Sequence, residues 1–434
     1  MKRTVTVRLL PDKDAEAKLK ALCSLSSKLW NEVNYARRRM FFETKRVDLK
    51  GTYREFYEKY KTLIGSATIQ QILNKNNEAW GGFFSLLKAK KEGRLPPFMN
   101  SVSPPGYRKR GGKRELWIVL RNDQYRIDGD YIIIKGLGAV GALRVRFSGR
   151  IHIIGKQGRA EVHYDPNEGK WYMHILFEVE EKIIRDERTR VPMKSLGDRI
   201  AGVDIGINNL LAVYVDDGSA LLVSGRPLKA ISFYWRNRMA KYQSTLNGYG
   251  LWTSRRLRKM YNRRWRRQIR SYVDWAVRNT VEWLYYKGVS RVIVGYPKYI
   301  AQNSGRNSKI NFEVIHAWSY GYLLRRLREV AEEYGIEVEY TDEKDTSRTC
   351  PICRTHIGHK RIARGLLKCY KYNEVFNADL VGAFNILSKV RPIAPSPALS
   401  GVGVMRLRPG AGLNLAHAGD VALNLPAPKG TLAL

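Results

Sequence analysis

Long apolar runs, cysteines and acidic residues are all scarce in this chain of 434 residues. No stretch reaches the roughly 18 consecutive apolar residues of a membrane-spanning helix, and the first residues form no secretory signal pattern. With 44% hydrophobic residues, the chain can nevertheless fold as two or three domains with buried cores. We therefore expect an intracellular, cytoplasmic protein that has no membrane partner.

Acidic residues are too few to balance the basic ones. The chain has 40 Asp and Glu against 77 Lys and Arg, a net charge of +37. A protein this basic is suited to neutralise a polyanion, whereas the charged surface of a thermophile usually carries balancing acids. The 10 Trp, 25 Tyr and 12 Phe suit stacking on unpaired bases, although most of them are expected in the core. We predict a nucleic-acid-binding protein.

Three of the four cysteines form a cluster with the spacing C-x2-C-x15-C, which is typical of a zinc ribbon. In an intracellular protein such a cluster favours metal binding over disulfides. Structural zinc takes four N or S ligands in a tetrahedron, but Tyr372 stands at the fourth position. Either His356 or His359 completes the set from the loop, or the ribbon has lost zinc and is held by packing. The three cysteines are Cys350, Cys353 and Cys369.

The hydrophobic period changes along the chain. An alternating strand over residues 2–10 precedes helical spacing through residue 91, and strands with hairpin turns then occupy residues 117–179. This pattern predicts a β-barrel that takes in the first strand, with a helical block inserted. From residue 200 the order is three strands, helix, strand, helix, strand, helix, which is that of an RNase H fold. The segment from Arg391 to the last residue contains six Pro and six Gly, and its hydrophobic residues show no regular spacing. This composition predicts a disordered tail.

A helical stretch from Arg255 to Arg270 carries nine basic residues, and no acid lies between Asp217 and Asp274. Its apolar residues fall on one face. The alternative is a solvated helix face, but no acids are present to offset the repulsion. We predict that this helix contacts phosphates, which position nucleic acid without reading its sequence. The basic residues on its other faces are Arg256, Arg263, Arg264, Arg266, Arg267 and Arg270.

Two aspartates stand where a metal site could form. Asp204 ends an apolar run, and an Asp in a buried strand is costly unless it binds a cation or finds hydrogen-bond partners. Asp379 precedes an apolar helical pattern, where a helix N-cap is the ordinary alternative. Hydrolysis of a phosphodiester with two divalent ions needs several converging oxygen ligands. The pair, together with the cysteine cluster, favours a metal site.

These segments resemble the RuvC-like nuclease domain of the TnpB family, transposon-encoded RNA-guided DNA endonucleases related to type V CRISPR effectors. The more specific landmarks are residues 202–208, Thr346-Ser347 before Cys350, and residues 377–387. Residues 29–31 and 104–108 are weaker ones. The resemblance covers the chain before the tail. It implies an endonuclease that binds a guide RNA and cuts target DNA beside a short flanking motif, with the sequence read by base pairing.

The resemblance also implies a division of this α+β multidomain chain. It predicts a RuvC-like α/β nuclease domain that is interrupted by a zinc-ribbon-like module. The barrel and helical block would be wedge and recognition domains. The ranges are 1–10 and 105–190 for the wedge-like barrel, 11–104 for the recognition domain, 198–342 and 376–390 for the nuclease domain, 343–375 for the zinc-ribbon-like insertion and 391–434 for the tail.

One family carboxylate is missing from its usual place. A Glu usually ends the strand that here reads Val-Ile-Val-Gly-Tyr-Pro, and Gly295 takes its position. We favour relocation to Glu343, so that Asp204, Glu343 and Asp379 would hold two Mg²⁺ ions; Glu313 is a weaker substitute. Otherwise Glu343 is a solvated loop carboxylate, and the protein is a guided DNA binder without cleavage. A transposase or resolvase, the third interpretation, predicts a sequence-reading helix-turn-helix, which the sequence does not suggest.

Overall fold

A computed structural model describes most of the chain, in two compact units. The units are Met1–Met193 with Trp235–Arg267, and Lys194–Tyr234 with Gln268–Leu434. Within the described part, no helix is both long and apolar enough to cross a membrane. The described residues are 2–95, 99, 101–110, 112–151, 153–184, 187–190, 194–252, 254–296, 320–342, 346, 348–355, 359–363 and 365–407.

Three helices follow the first strand in unit 1, as the helical spacing predicted. They are α1 (Lys13–Thr44), α2 (Leu49–Ile64) and α3 (Ser66–Lys91). The side chains of Asp12 and Asp48 cap the first two helices. Arg37 of α1 is fully buried, and it donates hydrogen bonds to Thr52 Oγ1 of α2 at 2.9 Å and to Asn76 Oδ1 of α3 at 2.7 Å. One buried guanidinium therefore links all three helices.

Eight of the ten strands described in unit 1 form a nearly closed barrel sheet in which the N-terminal strand takes a central place, and the other two pair only with each other. The order is β4-β8-β9-β1-β7-β6-β5, with β10 paired to β9, and all these pairs are antiparallel. The prediction that the first strand joins the later ones is confirmed. The strands are β1 (Lys2–Leu10), β2 (Lys109–Arg110), β3 (Lys113–Arg114), β4 (Trp117–Leu120), β5 (Tyr125–Asp128), β6 (Tyr131–Ile134), β7 (Leu143–Ser148), β8 (Ile153–Asp165), β9 (Lys170–Ile184) and β10 (Glu187–Arg190).

The two weaker landmarks of the sequence contact each other. Asn31 Oδ1 accepts a hydrogen bond from the backbone N–H of Arg108 at 2.6 Å. Trp30 Nε1 donates to the carbonyl of Gly106 at 3.0 Å, and the Arg108 guanidinium lies 5.0 Å from the centroid of the Trp30 ring. These bonds satisfy the polar groups of a segment that lacks regular structure, and they fix it against α1.

The second unit is built on a six-stranded sheet in the order β15-β14-β11-β12-β13-β19. The first three of its strands in sequence pair antiparallel, and the crossover strands β14 and β15 add in parallel. This element order agrees with the α/β pattern from residue 200. The strands are β11 (Arg199–Asp204), β12 (Asn209–Val215), β13 (Ala220–Ser224), β14 (Val289–Tyr296), β15 (Glu337–Asp342), β16 (His359–Ala363), β17 (Leu366–Cys369), β18 (Glu374–Asn377) and β19 (Met405–Leu407).

Five α-helices are described after residue 225. The basic stretch contains a π-helical turn at Met260–Trp265 that its sequence period did not predict. Another helix packs closely on the second sheet, because an alanine Cβ built at Gly202 would lie 2.2 Å from the carbonyl oxygen of Ala383. Only glycine permits this approach. The helices are α4 (Arg226–Gly248), α5 (Arg255–Lys259), α6 (Arg266–Tyr286), α7 (Tyr320–Glu333) and α8 (Ala378–Ser388).

The prediction of a disordered tail from Arg391 is wrong for its first part. A 3-10 turn at Pro397–Ser400 leads to β19, which pairs in parallel with β13 and becomes the sixth strand. Leu399 and Leu407 are buried. A strand of three residues is too short to show an alternating period, so no sequence pattern predicted it. Residues 408–434 lie outside the described part of the chain.

Candidate metal and nucleic-acid sites

Asp379 lies in the first turn of α8 and is not its cap. The N-cap is Asn377, whose Oδ1 accepts hydrogen bonds from the backbone N–H groups of Asp379 at 3.0 Å and Leu380 at 3.2 Å. The N-cap alternative for Asp379 is therefore wrong. Its Oδ2 instead accepts a hydrogen bond from Asn209 Nδ2 at 2.7 Å, at the start of β12. This bond turns the carboxylate toward the sheet.

Asp204, at the end of β11, lies against the same helix. A Cβ built at Gly382 would be 3.0 Å from the Cγ of Asp204, and one at Gly206 would be 4.0 Å from the Cγ of Asp379. Gly382 follows Asp379 by three residues, so both are on one side of α8. The structure thus brings the two predicted carboxylates to one place, where the end of a strand meets the start of a helix.

The neighbouring strands contribute no third carboxylate at this level of the sheet. In the parallel ladder Val203 pairs with Val294, which places Gly295 beside Asp204, and Gly295 pairs with Thr341. Gly295, where the family resemblance led us to expect a Glu, thus lies on the row of Asp204 and brings no carboxylate to it. Both candidate replacements, Glu343 and Glu313, lie outside the described residues.

A groove of about 600 Å³ opens beside Asp379 in the second unit. Basic side chains reach it from two elements, since Arg226 is the first residue of α4 and Arg406 belongs to β19. Lys229 Nζ donates to Asn208 Oδ1 at 2.8 Å at its edge. Sequence analysis did not single out Arg406, because it lies in the segment that was expected to be disordered. The lining also includes Asn209, Leu222, Ser224, Gly365, Leu366 and Asn377.

The three clustered cysteines meet as their spacing predicted. Their Sγ atoms lie within 4.8 Å of one another, and among the residues described this is the one group of three or more metal-type ligands that converges. His359 pairs with Cys369 in the β16–β17 ladder, His356 lies outside the described residues, and Tyr372 is 48% exposed. Three converging thiols fit zinc, which prefers thiolate and imidazole ligands.

The thiols differ in how readily they lose a proton. Burial raises the pKa of Cys350 to about 11. At Cys353, burial acts in the same direction, but hydrogen bonds from Thr355 and the neighbouring thiols outweigh it and lower the pKa to about 7. A metal at this cluster would bind the thiolate form of each side chain.

Four of the six predicted phosphate-binding arginines line one groove of about 890 Å³ in unit 1. Glu168 lies in its wall, and its two oxygens accept hydrogen bonds from Arg267 Nη2 at 3.0 Å and Tyr172 Oη at 2.6 Å. Burial opposes ionisation of Glu168, but these partners outweigh it and lower its pKa. Six cations against one anion leave the groove strongly positive. The cations are Arg238, Arg256, Lys259, Arg263, Arg264 and Arg267.

The other two predicted arginines do not line this groove. Arg266 is exposed on α6, and the Arg270 guanidinium lies 5.2 Å from the centroid of the Tyr322 ring within the second unit. Sequence reasoning missed Arg238 as a member of the groove. Its signal was weak, because it lies on α4 and outside the dense basic run.

Comparisons with known proteins agree with this architecture. Residues 174–301 match the family model OrfB_IS605, described as "Probable transposase", and residues 320–386 match "Cas12f1-like, TNB domain". Among solved structures, a Cas12f1–sgRNA–target DNA complex aligns with a TM-score of 0.55 at 12% identity, covering 89% of this chain and 98% of that one. The mini-RNA-guided endonuclease CRISPR-Cas_phi3 gives 0.54 at 10% identity, covering 91% and 94%. The protein therefore has a Cas12f-like α+β multidomain fold.

Sequence relatives then define the family. A TnpB-like protein of Acidianus two-tailed virus is 37% identical over 409 residues, which cover 89% of this chain and 86% of that protein. A TnpB-like protein of Methanocaldococcus jannaschii is 24% identical over 227 residues, which cover 50% of this chain and 80% of that protein. The chain belongs to the TnpB-like family, as the motifs predicted.

Proposed function

We propose that this protein is an RNA-guided DNA endonuclease of the TnpB type, which cuts target DNA beside a short flanking motif. The observation that carries the proposal is the convergence of Asp204 and Asp379 at the junction of β11 and α8. Membership of the TnpB-like family supports it, and so does the fold shared with proteins solved in complex with guide RNA and target DNA.

Asp204, Asp379 and Glu343 are the proposed ligands of two Mg²⁺ ions. Such ions would supply activation of the attacking water and neutralisation of charge on the phosphate. Asn209 holds Asp379 in position through its 2.7 Å hydrogen bond. In sequence, Glu343 directly follows Asp342, the last residue of β15. Thr341 is on the row of Gly295 and Asp204.

Guide RNA and target DNA are the proposed partners, and the positive groove of unit 1 is their proposed backbone contact. Its six cations are suited to phosphates, and phosphate contacts position nucleic acid without reading its sequence. We assign the barrel sheet and helices α1–α3 to the wedge and recognition roles that the family resemblance implied. The target sequence itself would be read by base pairing with the guide.

Structural zinc is the proposed occupant of the cysteine cluster. Cys350, Cys353 and Cys369 supply three ligands, and the proposed fourth is His356 or His359. Zinc there would fold the small β16-β17-β18 sheet and take no part in cleavage.

The test is cleavage of guide-matched DNA in Mg²⁺ by the protein purified with its co-expressed RNA. The proposal expects a discrete bound RNA and a cut by the wild type. Asp204→Asn and Asp379→Asn should each reduce the rate by at least about a hundredfold, the order seen when a catalytic group is removed. Asp198→Asn, an exposed carboxylate of the same unit, is the matched control and should cut normally. A protein without discrete RNA, or aspartate variants that cut at the wild-type rate, would overturn it.

A second candidate is a guided DNA binder that does not cut. The uncharged row of Gly295 and Thr341 beside Asp204 favours it, because the family's usual Glu is missing there. Glu343→Gln separates the two. If the wild type cuts and Glu343→Gln cuts equally well, Glu343 is not the relocated ligand; if the wild type binds matched DNA and never cuts, the binder is correct.

A further inference from the structure

The tail segment up to Leu407 is fastened to the second unit at three points. Arg391 Nη1 donates to Asp216 Oδ2 at 2.7 Å, and Ser396 Oγ donates to the carbonyl of Gly218 at 2.9 Å. The third point is β19, whose Leu407 is buried beside Val223 of β13. A segment held in this way forms a fixed wall of the unit.

The register of the sheet aligns Arg406 with the proposed catalytic carboxylate. Asp204 pairs with Ala212, Ala212 with Leu222, and Leu222 with Arg406. All four residues therefore share one row and one face, the face covered by α8. Neighbouring strands are about 4.8 Å apart, so the Cα atoms of Asp204 and Arg406 are separated by about 14 Å along the row.

Leu222 and Asp379 line the groove together with Arg406. Leu222 and Arg406, two residues of the row that begins at Asp204, therefore belong to the surface of the groove. Arg226 enters the same groove from the start of α4. Two arginines thus line a groove whose wall also includes Asp379. Arginine binds phosphate through paired N–H donors and is the side chain best suited to that task.

We propose that Arg406 and Arg226 bind backbone phosphates of the DNA strand that enters the carboxylate site, so that the tail strand β19 forms part of the substrate groove. The inference rests on the proposed function, because the strand is taken to be the one that is cut. Arg406 is a positioning residue: it would hold the strand about three strand spacings from Asp204 and would not touch the reacting phosphate.

The alternative role of Arg406 is to protect the edge of the sheet from pairing with other chains. β19 is the last strand of the order found in the described part of this sheet, and a charged side chain on an edge strand discourages pairing with other chains. That role needs no phosphate. The experiment must therefore show a specific phosphate contact and not merely a loss of activity.

Cleavage of DNA with single methylphosphonate substitutions supplies this test, because each substitution removes the charge of one phosphate. In the RNA-bound wild type, one position of the target strand should slow cutting about tenfold, the value of one charge-assisted contact. Arg406→Gln should be slower by a similar factor on unmodified DNA and should lose its sensitivity at that position. Arg406→Lys should recover part of the rate, and Arg325→Gln, an exposed charge of α7 outside the groove, should behave as wild type.

The proposal is overturned if Arg406→Gln cuts at the wild-type rate, or if it is slower but equally sensitive at every position. Binding of a labelled single strand to the same complexes gives an independent readout. Losing one phosphate contact should reduce the slope of log affinity against log salt by about 0.7 to 1 in Arg406→Gln and not in Arg325→Gln. If no protein cuts, the proposed function fails and this slope decides the inference alone; an unchanged slope then refutes it.

Discussion

Replacing Gly382 by alanine adds one methyl group between α8 and the end of β11. The new Cβ would lie 3.0 Å from both the Cγ and the Oδ2 of Asp204, which is closer than ordinary van der Waals contact. The neighbouring atoms belong to a side chain, so the carboxylate can give way by a few tenths of an ångström. Its direction toward the metal site would change while the helix remains in place.

The effect on stability should be small, because two terms oppose each other. Alanine is favoured over glycine in a helix interior by about 1 kcal/mol, and crowding of a well-packed site costs about 1 kcal/mol or more. The effect on cleavage should be large. A displacement of about 1 Å in an active site can reduce the rate about a hundredfold, so a shift of a few tenths should reduce it about tenfold.

The assay is single-turnover cleavage of matched DNA by the RNA-bound protein, together with the melting temperature of each variant. Gly321→Ala is the matched control, because it also adds a methyl group to a helix of the same unit and meets nothing within 4 Å. Gly382→Ala is expected to melt within a few degrees of the wild type and to cut about tenfold more slowly. A wild-type rate in Gly382→Ala would refute the placement of Asp204 in the active site.

Three further predictions concern the packing of Gly202, the zinc content of the cysteine cluster and the half-buried His174. Gly202→Ala should lower the free energy of unfolding by about 3 kcal/mol, because its methyl group would meet a backbone carbonyl; Gly81→Ala, with open space around it, should not lower it, and denaturant titration compares the two. The purified protein should contain one zinc by elemental analysis, and Cys369→Ser should contain less and melt earlier; a wild type that binds no zinc contradicts this prediction. Burial lowers the pKa of His174 from 6.5 to about 4, so the unfolded chain takes up the proton first, and stability should fall as the pH falls from about 6.5 to about 4. His174→Gln should flatten that part of the stability profile, and an unchanged profile would show that another group is responsible.

Local patterns predicted most of the strands and helices of this protein correctly. Strand patterns with hairpin turns marked the region of β5 and β6, and helical spacing marked α1–α3. These signals depend on near neighbours in sequence, which is why the sequence alone reveals them.

Features that depend on distant parts of the chain were harder to predict. β19 is three residues long and exists because β13 offers it an open edge. The π-helical turn does not alter the composition of the basic run, and the burial of Arg37 needs acceptors on two other helices. In each case the energetic cause lies in a partner element that the local sequence does not contain.

In the candidate site, too, local sequence predicted some features, and others depend on distant parts of the chain. Asp204 and Asp379 were identifiable because each stands at the junction of an apolar run with a turn or helix start. Their proximity depends on Gly382 and Gly202, which let α8 approach β11. Arg406 was missed because its alignment with Asp204 depends on the register of four strands and not on its neighbours in sequence.

A double-mutant cycle on cleavage by the RNA-bound protein tests the central claim most directly. Asp204→Asn, Asp379→Asn and the double variant would be compared with the wild type, with RNA content and melting temperature as checks on folding. If the two carboxylates act as one metal site, the double variant should lose little more activity than the worse single variant. If the fold-loss in rate of the double variant equals the product of the two single losses, Asp204 and Asp379 act independently. That result would contradict a shared catalytic site.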